Sequence, residues 1–230
     1  MIAPAGFAAL RRLLDQPVEP APPVPERCEL CGEPVGPAHR HLLDLAAREL
    51  RCACRACMVL FDQPGAGGRH YRLVPERRWH LHDFALDEPE WDGLRIPVHL
   101  AFFFHDSAAG RVVAFYPSPG GAVESLLGIE AWAAIEARNP VLRKLQPDVE
   151  ALLVNRSRGA ASHWLVPVDD CYRLAGVLRA GWKGLAGGRE VWDEVTRFFD
   201  DLRGRAVAVG RDGGQPSMAR GGHGERREQT

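Results

Sequence analysis

Five of the chain's six cysteines fall within thirty residues, in the paired spacing of a metal site. The run reads Cys28-Glu-Leu-Cys31, then twenty intervening residues, then Cys52-Ala-Cys54-Arg-Ala-Cys57. A Cys-x-x-Cys turn brings two sulfurs to one side of a tight knuckle, where they can share an ion. Gly32, directly after the second sulfur, suits a left-handed backbone position from which amides point at the thiolates. Thiolates are soft, charged donors that select zinc or iron over hard cations. Cys28, Cys31, Cys54 and Cys57 make two such pairs with twenty-two residues between them, and a short β-ribbon there would complete a four-sulfur tetrahedron. Cys52, two residues before Cys54, could substitute for it, and His39 and His41 could supply a nitrogen ligand. Structural Zn2+ is the default for this spacing, and its binding free energy would be the folding free energy of a module too small to fold on its core alone. A rubredoxin-type iron site uses the same ligands, so Fe is the alternative cofactor.

Other groups have both a chemical and a plainer reading. Histidines pair again as His80-x-His82, followed by Asp83. Residues two apart on a strand share a side, so either histidine pair could present two imidazoles to one ion; partly exposed strand positions explain them equally. Glu124, Asp148, Glu150, Arg156, Asp169 and Asp170 lie nearest the predicted strand ends. Paired carboxylates there could do general acid–base work, while caps and salt bridges account for the same residues. Cys171 follows the aspartates at a predicted helix start, which would stabilise a thiolate, but no histidine is tied to it by a motif. Glu124, Glu150, Arg156, Asp170 and Cys171 therefore stand as cleft candidates, and no catalytic residue is assigned. The glycine-rich approach at 187–190 matches neither the Walker nor the dinucleotide fingerprint and reads as a turn. Residues 116–121, TyrProSerProGlyGly, read as a loop beside Glu124.

The elements that must position these residues follow from periodicity and breakers. Residues 5–15 carry Phe7, Leu10, Leu13 and Leu14 at helical spacing, and a stiff proline-rich linker then extends to residue 27. The cysteine ribbon spans 28–62 and ends at the breaker cluster 63–68. A second region, 69–203, has strand candidates at 70–74 and 79–84. Residues 96–104 and 112–116 read as one hairpin, and 149–155 with 163–168 as another pair. Helices are predicted over 128–137, stopped by Asn139-Pro140; over 171–180, with Asp169 or Asp170 as N-cap; and over 190–202, the most periodic stretch. Strands and helices mix without regular βαβ alternation. The fold class is α+β, a small zinc-ribbon-like module followed by an antiparallel sheet domain with packed helices. From Gly204 the chain is rich in Gly, Arg and Gln, carries a charge of +2 and reads as a disordered tail.

Composition narrows the function classes. A chain of 230 residues with ordinary apolar and charged fractions can bury a core. Its net charge of −1 excludes an electrostatic nucleic-acid binder as a whole. No run approaches the about 18 apolar residues needed to span a bilayer. The N-terminus places two arginines after its apolar stretch and offers no small-residue cleavage site, which points to the cytoplasm. Clustered thiols in a reducing compartment read as a metal site rather than a disulfide framework.

CELCGEP, HRHLLDL, CACRAC, IPVHLAFFF, YPSPGGAVESLL, DVEALLVNR, VPVDDCYRLAGVLR and GWKGLAGGREVW together resemble an uncharacterised actinobacterial family of unknown function encoded beside nickel–iron hydrogenase genes. The resemblance covers about residues 27–203. It implies assembly or maturation of a metalloenzyme as the setting, with a hydrogenase subunit or maturation factor as the protein partner, and it supplies no catalytic residues. The leading expectation is a non-catalytic zinc-binding accessory or scaffold protein. A rubredoxin-like one-iron electron carrier, or an enzyme with its site in the α+β domain, are the alternatives.

Overall fold

The computed structural model describes residues 26–62, 70–118, 120–125, 129–182 and 188–214. The expected N-terminal helix, its proline-rich linker and the chain beyond residue 214 lie outside them. Within them the protein is α+β, with a three-stranded and a seven-stranded sheet.

The small sheet begins with strands β1 (Arg40–Asp44) and β2 (Glu49–Ala53), an antiparallel ribbon in which His41 faces Cys52 and Leu43 faces Leu50. The Asp44 carboxylate accepts from the amides of Ala46 and Ala47, which closes the turn between them. Helix α1 (Arg55–Phe61) follows at once. Strand β3 (Tyr71–Leu73) returns beside β1. It was expected to open the larger domain; it instead completes the ribbon, in the order β2-β1-β3. A three-residue strand shows no period of its own, and only pairing decides which sheet it joins.

The large sheet runs β10-β4-β9-β8-β5-β6-β7. Its strands are β4 (Trp79–Leu81), β5 (Leu100–Asp106), β6 (Arg111–Ser118), β7 (Gly121–Ser125), β8 (Glu150–Asn155), β9 (Ser162–Pro167) and β10 (Val207–Val209). All neighbours are antiparallel except β10 on β4. Both expected pairs, β5 with β6 and β8 with β9, form. Successive side chains alternate across the sheet. Phe102, Phe104, Leu153 and Trp164 point one way, onto α4 (Val168–Gly181) and α5 (Gly188–Arg205). Phe103, Leu152 and Val154 point the other way, onto α2 (Glu88–Gly93) and α3 (Ile129–Arg138). Central strands covered on both faces explain the unbroken apolar runs AFFF and ALLV.

Three expectations are corrected. Residues 116–118 belong to β6, and Gly121 opens β7, so much of the expected loop is a hairpin. Helix α4 starts at Val168 behind Pro167, which places Asp169 and Asp170 inside its first turn rather than at its cap. The tail does not begin at Gly204: α5 runs through Arg205 and β10 adds an edge strand.

The two sheets meet along a seam. Leu43 of β1 packs with Val74, Val149 and Val168. Arg72 donates to the buried Asp148 carboxylate at 2.6 Å and to the Pro147 carbonyl at 2.8 Å, and Arg48 pairs with buried Asp106. A cavity of about 280 Å3 lies along this seam, lined by Leu43, Leu45 and Arg48 on one side and Phe104, Phe115 and Tyr172 on the other.

Candidate metal centre

Cys28 and Cys31 sit on a turn closed by the Gly32 amide, which donates to the Cys28 carbonyl at 2.8 Å, and by the Cys28 amide, which donates to the Glu33 carbonyl at 2.8 Å. Gly32 has φ +78°, the left-handed conformation its position demanded. The second pair comes from a strand-to-helix junction rather than a hairpin tip. Cys54 occupies the N-cap of α1 without using its side chain as a cap, and Cys57 lies within the first turn. Glu29, inside the first pair, joins the two halves. Its amide donates to the Cys52 carbonyl at 2.9 Å and its carboxylate accepts from the Cys52 amide at 2.6 Å. This acid between the two cysteines carried no readable signal in the sequence.

The four ligand atoms of Cys28, Cys31, Cys54 and Cys57 all lie within 4.8 Å of one another. Sγ of Cys31 and Sγ of Cys54 are 3.6 Å apart, far longer than a disulfide bond of about 2.05 Å. Metal–sulfur bonds of about 2.3 Å in a tetrahedron put sulfurs about 3.8 Å apart, and the cluster has that size. Cys28 and Cys57 are buried, Cys54 is half-buried and Cys31 is exposed. Leu42 and Ala53 pack against the buried pair, with Met58, Phe61 and Leu73 around them.

The electrostatics ask for a cation. Burial pushes the Cys28 thiol up, but the amides of Cys54, Leu30 and Cys31 together outweigh it and bring the group down to about 6. The Cys57 thiol goes the other way, raised by burial and then by hydrogen bonding with Cys31, Cys28 and Cys54. One sulfur is prepared as a thiolate while its neighbour resists ionising beside it. A dication held by the four sulfurs would offset that repulsion and favour their deprotonated form. The four cysteines can therefore hold a metal ion.

Cys52, His39 and His41 do not join this cluster. They form a second group, their ligand atoms within 4.8 Å of one another. The reason is strand parity: Cys52 faces His41 in register and His39 is two residues before it, so all three share one face of the ribbon. The adjacent Leu42 and Ala53 point to the opposite face, toward Cys28 and Cys57. His41 Nδ1 also meets Asp169 Oδ2 at 3.3 Å, a partner 128 residues away that no local pattern could reveal. The second histidine pair makes no such group among the described residues: His80 packs on the Trp164 ring at 4.2 Å, and His82 lies beside Asp83.

The five cleft candidates do not converge. Glu150, wholly buried, accepts from Arg77 Nε at 2.8 Å and from the Gln146 amide at 2.9 Å. Asp170, also buried, accepts from Arg78 Nε at 2.6 Å. These adjacent arginines tie the approach to β4 onto β8 and α4, and breaking such a buried pair costs about 3–5 kcal/mol. Arg156 pairs with Glu88 and lies over the Trp91 ring at 5.4 Å. Cys171 is a core residue on the buried face of α4, its thiol pushed well above the ordinary value by burial and then by Asp170 and Asp169. Glu124 on β7 pairs with Arg111 at 3.0 Å and borders the seam cavity.

No described helix is long and apolar enough to cross a membrane. Neither a curated protein nor a solved structure matches the chain. One family model does, over residues 27–206, from the first knuckle to the end of α5. That stretch holds both cysteine pairs and nearly all of the large sheet, and the chain belongs to this family, a family of unknown function designated DUF5947.

Proposed function

We propose that the protein is a non-catalytic, cytoplasmic accessory or scaffold protein in which a structural Zn2+ holds the ribbon rigid beside the α+β domain for docking a protein partner. The convergence of four thiols within 4.8 Å carries this reading. Among the described residues, the buried cluster around these sulfurs is four residues, two of them cysteines, so the ion supplies the cohesion the side chains lack. Helix α1, which bears Cys57, turns Val59 and Leu60 outward, 65% and 59% exposed, and offers an apolar surface beside the metal. The motif resemblance supplies the setting: assembly or maturation of a nickel–iron hydrogenase, with one of its subunits or maturation factors as the partner.

The test starts with protein purified aerobically without added metal, by elemental analysis and a visible spectrum. One tightly held zinc and a colourless protein are expected. Iron with thiolate charge-transfer bands that bleach on reduction would replace this reading with a one-electron carrier. In the native host, Cys28→Ser should abolish hydrogenase maturation, and undiminished hydrogenase activity would remove the setting.

A further inference from the structure

The second group, His39, His41 and Cys52, is built as a ligand set. His39 Nδ1 lies 2.8 Å from the Gly36 carbonyl oxygen. A carbonyl only accepts, so Nδ1 is the donor and the neutral ring keeps its lone pair on Nε2. That Nε2 is buried and has no hydrogen-bond partner. His41 Nδ1 meets the Asp169 carboxylate at 3.3 Å, and an ionised carboxylate only accepts, so the neutral ring likewise keeps its lone pair on Nε2. Rings whose Nδ1 is held by a carbonyl or a carboxylate are oriented as metal-binding histidines are, with the outer partner fixing tautomer and direction. The two ring centroids are 5.0 Å apart, edge to face, and Cys52 lies directly across the ribbon from His41. A buried polar atom with no partner carries a cost that an ion removes. Asp169 Oδ1 is a second buried atom without a partner at the same place.

We propose that His39, His41 and Cys52 form a second metal site, distinct from the four-thiol centre, that takes a late first-row dication of borderline softness in exchangeable fashion. Two imidazoles and one thiolate suit zinc, nickel, cobalt or copper rather than calcium or magnesium. Three protein ligands leave the fourth position open, the arrangement of sites that exchange their ion or bind a further group, in contrast to the closed tetrathiolate. The site lies at the seam, because Asp169, which orients His41, belongs to α4 of the large domain. Occupancy there would join the ribbon to that domain through His41.

The test uses the full chain and Zn2+ as probe, with wild type, His39→Gln and Cys52→Ser dialysed with and without added zinc and then analysed for metal. The wild type should take up one equivalent beyond whatever survives zinc-free dialysis, and both variants should take up none. Alkylation of Cys52, followed by peptide mass spectrometry in the wild type, should slow about tenfold when free zinc is ten times the dissociation constant of the site. Equal uptake in wild type and variants, no added uptake in the wild type, or unchanged Cys52 alkylation would each overturn the proposal. The zinc that survives dialysis reports separately on the four-thiol centre. Its absence from all three proteins, with exchangeable zinc still following His39 and Cys52, would remove the first site and keep the second.

Discussion

His163 on β9 stacks on the Phe84 ring at 4.6 Å, and its Nε2 is buried without a hydrogen-bond partner. Burial, then the positive charges of Arg156 and His80, bring its pKa down to about 4. The unfolded chain takes up this proton near pH 6.5, whereas the folded one stays neutral until about 4. Stability from this group is therefore complete above about pH 6.5 and drains away as the pH falls toward 4. Between about pH 7 and 4.5 the loss should come to about 2–3 kcal/mol. Urea unfolding of His163→Phe, which keeps the stack and removes the titration, should show a pH decline shallower by that amount, and parallel declines would refute the assignment. Residues of this kind differ sharply in how far the sequence discloses them. The four cysteines are legible because knuckle geometry is local and fixed by covalent spacing. That Cys52 parts company with Cys54 depends on the pairing of β1 with β2, and His163 reads as any strand histidine until Phe84 covers it.

Helix α2 shows what an element adds. Asp87 accepts from the Glu90 amide at 3.0 Å, and the Glu90 carboxylate accepts from the Asp87 amide at 3.0 Å, a complete capping box with Pro89 inside the first turn. The Glu90 amide lowers the Asp87 pKa, and so does Arg138 at the end of α3, which pairs with it at 2.9 Å. Asp87→Ala should cost about 1–2 kcal/mol in denaturant unfolding, and a loss below about 0.3 kcal/mol would show that the box does not hold the helix. The cap was present in the sequence as Asp-Glu-Pro-Glu, but six residues are too few for a helical period to emerge, and the helix was not expected. The long elements, β5 with β6, β8 with β9, α3 and α5, were legible because their apolar faces repeat over several turns or residue pairs. Strand β10 was not, since Val207–Val209 is three residues whose partner β4 lies over a hundred positions earlier. Its neighbourhood of Gly and Arg carried the opposite signal.

On the scale of the molecule, two cohesive forces divide the chain. The large sheet is covered on both faces by apolar helices, while the ribbon leans on four sulfurs and on the seam of Leu43, Val74, Val149 and Val168. Removing metal with a strong chelator should therefore raise amide hydrogen exchange in β1, β2 and α1 by orders of magnitude while β5, β8 and β9 keep their protection. Uniform loss of protection would mean that the two parts unfold as one.

The parallel strand at the other margin sets where the chain can be cut. Val207–Val209 occupies the outer side of β4, the Arg211 amide beyond it reaches the Asp83 carboxylate at 2.5 Å, and the Val141 amide donates to the Arg211 carbonyl at 2.8 Å. Proteolysis just after Arg203 would strip this cover and bare a row of β4 donors and acceptors beside Trp79, a ready template for another molecule to add a strand. A protein trimmed there should self-associate on size-exclusion chromatography, whereas one trimmed after Gly214 should elute as the intact chain does.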